Sequence, residues 1–186
     1  MMEMLIVLGL FLFIGSFSLL NLRQGGNIQD ARREALRLVS TAREMERRTL
    51  SGSTAPEVGI SAPKGGFGIK ISSDGASYAA VVAPNADDLA TLSTLFTVAL
   101  PKSMTLTPAN FTFLFTQPKG VVCAEEASGT RYCGLCRVFD PGTTTCLSSI
   151  PLATAAQQKQ TFSFSMDQPN IAAVVLNLVS ARLSAQ

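Results

Sequence analysis

Four cysteines, at positions 123, 133, 136 and 146, are the residues best placed to do chemistry in this chain. Cys133-Gly134-Leu135-Cys136 has the spacing of a thiol–disulfide redox motif, but that motif needs a strand-to-helix setting in a βαβ unit. Here Thr130-Arg131-Tyr132 and Arg137-Val138-Phe139 read as strands on either side, which argues against it. All four thiolates could surround one zinc ion, although such sites usually pair two CxxC knuckles and only one is present. Structural disulfides are the favoured reading, because an even cysteine count suits an oxidising compartment. Gly134-Leu135 fits a two-residue type II′ hairpin turn, and Cys123 and Cys146 each lie ten residues from the nearer inner cysteine. A hairpin centred there predicts Cys123–Cys146 with Cys133–Cys136; Ser128-Gly129 and Asp140-Pro141-Gly142 are the competing turn signals inside it.

Other constellations are poor in chemistry. Histidine and tryptophan are absent, which excludes His catalysis and imidazole-bound zinc. Lys64-Gly65-Gly66 lacks the spacing of a phosphate loop. Asp87-Asp88 and Glu125-Glu126 read as solvated loop charges, and the Phe stripes as core. No catalytic residue, metal site or cofactor is expected.

The elements that would position these residues differ sharply along the chain. From Met4 to Leu22 no residue is charged, and as a helix this run spans roughly 28 Å, close to the hydrocarbon thickness of a bilayer. It begins beside a carboxylate, Glu3, which costs a few kcal/mol at a buried end unless paired. Nothing basic precedes the run and Asn21-Leu22-Arg23-Gln24 is a poor cleavage site, so it is no ordinary secretory signal. With arginines only after the segment, the positive-inside rule would hold the domain in the cytoplasm; a basic leader ahead of this stretch reverses that orientation.

Gly25-Gly26 interrupts the helical pattern and Asn27 follows as a good N-cap, so residues 1 to about 50 read as one long helix weakened at the glycine pair. Ile28, Ala31, Ala35, Leu38, Ala42 and Met45 then mark one apolar helix face, with the arginines and Glu34, Glu44 and Glu46 on the others. Ser51-Gly52-Ser53 ends the helix. Between Arg23 and Arg48 seven arginines face four acids, whereas residues 53–186 carry eight basic and eight acidic residues. A neutral domain of this kind gives no specific nucleic-acid surface.

Beyond Pro56 the pattern is that of strands. Phe67–Ile71 and Ala76–Val82 flank the turn Ser73-Asp74-Gly75, and Thr94–Leu100, Met104–Leu106, Phe111–Phe115 and Thr161–Met166 come after them. Ile171–Leu183 suits a buried strand or a helix, and Asp87–Ser93 a short helix or loop. The expected fold is α+β, a long N-terminal helix packed on a mostly antiparallel sheet. Its parts are an apolar helix at 1–24, an amphipathic continuation at 25–52 and a β-rich domain at 53–186.

Glu3 with its apolar run, the helix Asp30–Leu50, the Ser-Gly exit and Gly65-Gly66-Phe67-Gly68-Ile69 together resemble a type IV pilin or pseudopilin, most closely the H-type pseudopilin and minor-pilin group. The family's processing site has a glycine before the cut and a glutamate as fifth mature residue. Here the glutamate is third with no such glycine before it, as in a start lacking the leader and two mature residues. The resemblance implies a non-enzymatic filament subunit of a type IV pilus or a type II secretion-like pseudopilus. Its partners would be copies of itself or other pilins, the inner membrane before assembly, and the pilus assembly machinery. The end state would be a filament at the cell surface or in the periplasm. It also implies that Glu3 pairs with an N-terminal amine during assembly, and that Gly25 and Gly26 mark a helix section able to extend. A monomeric membrane-anchored binding domain, and a zinc or thiol-redox protein on the same anchor, are the alternatives.

Overall fold

The helix α1 runs from Met2 to Leu50, and ten strands follow it among the described residues. The structure, a computed structural model, describes residues 2–61, 63–84, 91–116, 121–135, 151–166 and 171–185, with side chains at 12–13 and from 26 onward except 121. At 49 residues α1 is about 73 Å long, and it continues through Gly25-Gly26. One long helix is therefore present, and Asn27, expected as an N-cap, lies inside it. Two glycines cost about 2 kcal/mol in a helix interior, less than giving up the hydrogen bonds on both sides and nucleating again. The exit is as expected. Gly52 takes a left-handed φ of 64°, and the Ser53 N–H donates to the Arg48 carbonyl across the last turn.

Six strands form one sheet in the order β3 (Ser93–Ala99), β2 (Ser77–Ala83), β1 (Gly66–Ile71), β5 (Thr112–Thr116), β6 (Val121–Glu125) and β7 (Arg131–Cys133). Four more form a second sheet, β10 (Arg182–Ala185), β9 (Ala172–Asn177), β8 (Lys159–Ser165) and β4 (Thr105–Thr107). Every strand pair within the sheets is antiparallel. The chain is therefore α+β, one helix on antiparallel sheets. The stretch from Ile171 to Leu183 is neither one strand nor a helix but the hairpin of β9 and β10, because Asn177 turns the chain by accepting from the Val179 and Ser180 N–H groups.

The core lies where α1 and the two sheets converge. Ala31, Ala35, Leu38, Ala42 and Met45 are buried as the periodicity requires, and the alanines let the helix sit close to β1, β9 and β10. Burying Leu38 or Met45 stabilises by roughly 1.5–3 kcal/mol each. Phe67, Ile69, Ile71, Phe113 and Phe115 face them from the large sheet, and Phe162, Phe164, Val174 and Leu176 from the small one. Phe162 joins the two sheets, with its ring 5.4 Å from Phe111 and 5.7 Å from Phe113. The opposite face of the large sheet carries a separate cluster of Val81, Ala83, Leu114, Cys123 and Cys133.

Candidate functional site

The last turn of α1 is fixed to the sheet by one hydroxyl. Thr49 is fully buried; its Oγ1 accepts from the Phe67 N–H at 3.0 Å and can donate to the Phe115 carbonyl at 3.1 Å or the Met45 carbonyl at 2.9 Å. The contact needs Gly66, where a Cβ would run into the Phe115 carbonyl and touch Thr49 Cγ2. One side chain thus ties α1 to both β1 and β5.

Higher on α1 the packing is less satisfied. Glu34, expected on a solvated face, is 8% exposed. It lies on the sheet side because Ala31, Ala35 and Leu38 turn that arc of the helix inward. Arg37 reaches its Oε1 at 3.8 Å, while Glu34 Oε2 and the Tyr78 hydroxyl are buried oxygens without a hydrogen-bond partner. Burial raises the Tyr78 pKa; the nearby Thr41 hydroxyl pulls the other way without completing a hydrogen bond.

The other half of α1 faces outward where its side chains are described: Leu12 is 70% and Phe13 65% exposed. Glu3, Gly25 and the run Met4–Leu22, apart from Leu12 and Phe13, have side chains outside the described set. Gly26 meets nothing within 4 Å of where a Cβ would stand. Among the described residues, no helix is long and apolar enough to cross a membrane.

The cysteines depart from the expected pairing. Cys123 on β6 and Cys133 on β7 are directly opposite in register and form a disulfide with Cα atoms 4.0 Å apart. This rules out Cys123–Cys146 and Cys133–Cys136, and equally a zinc site using all four thiolates. The cause is the turn: the hairpin folds at Ser128-Gly129, not at Gly134-Leu135. Gly129 has φ 80° and its N–H donates to the Glu126 carbonyl, so ten residues separate partners that face each other. Gly134 instead lies flat against the backbone of Leu178, where a Cβ would collide with the Leu178 carbonyl. Cys136, Cys146 and the expected strand at 137–139 lie outside the described residues.

The acidic pairs have structural partners where they are described. Glu125 accepts from Arg131 Nε at 2.8 Å across the hairpin. Glu126 accepts from the Tyr132 hydroxyl at 3.0 Å, and that hydroxyl accepts from Gln160 Nε2 at 3.0 Å, joining the two sheets. Burial, with the Glu126 carboxylate beside it, holds the Tyr132 phenol well above its usual pKa. Glu126 and Gln160 line a shallow cleft of about 370 Å³ with Pro108, Ala109 and Phe111. Asp87 and Asp88 lie outside the described residues, and no group of three metal-ligating side chains occurs among the described ones.

Sequence reasoning missed Thr49 and Glu34, since a polar type on an amphipathic helix signals solvent. It also missed β6, whose Val-Val-Cys-Ala run carried a sufficient apolar signal. Comparison of the chain with protein-family models, curated proteins and solved structures finds no match.

Proposed function

We propose that this chain is a non-enzymatic structural subunit of a type IV pilus or a type II secretion-like pseudopilus, assembled through α1. The observation that carries the reading is the division of one helix into two halves. The second half is packed and pinned by Thr49, while the described apolar side chains of the first half, Leu12 and Phe13, are exposed. A 19-residue uncharged run on such a helix needs a nonaqueous surface: lipid before assembly, and the helices of neighbouring subunits afterwards. The β-domain then forms the outside of the filament.

Glu3 is the assembly residue in this reading, paired with the N-terminal amine of its own chain or a neighbour. A carboxylate left unpaired in an apolar bundle costs roughly 3–5 kcal/mol, which favours the stagger that supplies its partner. Gly25 and Gly26 lie inside a continuous helix in the single chain, and assembly can extend the helix there at low cost. The test is Glu3→Ala at matched membrane levels. The variant should stay inserted and folded while filament yield falls sharply; normal yield overturns the role of Glu3. A wild-type chain that never leaves the monomeric state points instead to an anchored binding domain.

A further inference from the structure

The outer edge of β3 is an open strand edge, and among the described residues no strand pairs with it. The other edges are closed or blunted. β7 is covered by Pro151–Ala153, with the Cys133 N–H donating to the Pro151 carbonyl and the Ala153 N–H to the Cys133 carbonyl. β4 has three residues, and its Leu106 N–H donates to the Gly75 carbonyl of the neighbouring turn. β10 is short, lies beside α1 and carries Arg182. The turn Pro56–Val58 packs near β3, but the strand itself, Ser-Thr-Leu-Phe-Thr-Val-Ala, is uncharged, free of proline and rich in β-formers.

Its hydrogen-bonding directions are set by the register. The Leu100 N–H donates to the Ala76 carbonyl, so Leu100, Val98 and Phe96 spend their backbone groups on β2. Thr97 and Ala99 alternate with them, so their N–H and C=O groups point away from the sheet. Both residues are exposed, as is Phe96 at 40%, and the bulge opposite Ala80 and Val81 ends the regular edge on the other side.

We propose that β3 pairs with β3 of a second copy of this chain, antiparallel about a two-fold axis at Val98. This register sets Thr97 opposite Ala99 of the other copy, twice, and uses each of the outward groups in four hydrogen bonds. Val98 meets its own counterpart, and Phe96 lies across from Leu100, covering its exposed ring. The strand is its own complement, no charge is brought against a like charge, and the domain is electrically balanced, with eight basic and eight acidic residues in 53–186. A second copy is therefore the occupant that fits. The pairing is closed and symmetric, uses no part of α1, and stands independently of assembly through the helix.

Amide hydrogen exchange on the full chain in detergent tests this. Raising protein concentration about a hundredfold should slow exchange at Thr97 and Ala99 by about tenfold or more, while Phe96 and Val98 stay protected throughout. Thr97→Pro removes an outward N–H and no bond to β2, and should abolish the concentration-dependent protection at Ala99. Exchange at Thr97 and Ala99 that ignores concentration, whether fast or slow, overturns the pairing. So does protection that appears only when an unrelated extended peptide is added. Wild-type exchange decides the matter even if Thr97→Pro fails to fold.

Discussion

Replacing Thr49 by valine, a residue of nearly the same shape, should destabilise the protein more than replacing it by the smaller serine. The buried hydroxyl accepts the Phe67 N–H at 3.0 Å and can donate to the Phe115 carbonyl at 3.1 Å. Valine preserves the packing beside Gly66 but leaves a buried N–H without a partner, which costs about 1–3 kcal/mol, and removes a hydrogen bond worth about 1 kcal/mol more. Better transfer of a methyl than of a hydroxyl offsets part of this, so about 2 kcal/mol should remain. Serine keeps both bonds and loses one methyl, for about 1 kcal/mol. Urea unfolding of the full chain in detergent, followed by far-ultraviolet circular dichroism, would show this directly. With a slope near 2 kcal/mol per molar, the valine midpoint should fall by about 1 M and the serine midpoint by about half that. A valine variant as stable as wild type, or more stable than the serine variant, would refute the claim that this hydroxyl holds α1 to the sheet.

Peptide mapping without reduction should recover Cys123 linked to Cys133; a Cys123–Cys146 peptide would contradict the register of β6 and β7. Replacing Cys123 and Cys133 by serine should cost roughly 2.5 kcal/mol, the closure entropy of a ten-residue loop, measured as a urea midpoint shift. The chain has only two tyrosines, and burial holds both above their usual pKa of 10.0. The folded protein therefore keeps protons that the unfolded chain begins to lose near pH 10. Their contribution to stability is full below that pH and declines as pH rises above it. Phenolate absorbance should thus appear only with unfolding; its appearance in the folded protein near pH 10 would contradict their burial. Tyr78→Phe, which removes an unpartnered hydroxyl, should be neutral or stabilising, whereas Tyr132→Phe should cost about 1 kcal/mol by releasing Glu126 and Gln160. Equal urea midpoints for the two variants would overturn that contrast.

Local chemistry sufficed where one element determines the outcome. The seam from Ala31 to Met45, the Gly52 exit, the Asp74-Gly75 turn and the alternating Phe113 and Phe115 are written in periods of 3.6 and 2 and in turn residues. Pairings between elements were decided elsewhere. Three turn signals competed for the cysteine hairpin, and the register of β6 against β5 and β7 selected Ser128-Gly129, which moved the disulfide. Gly25-Gly26 reads locally as a break, yet the helical hydrogen bonds on both sides outweigh the glycine cost. Glu34 and Thr49 look like surface residues until the sheet that covers them is in place. Sequence periodicity fixes which face an element turns inward, but only the packed neighbours determine how wide that face is and which polar group must find its partner inside it.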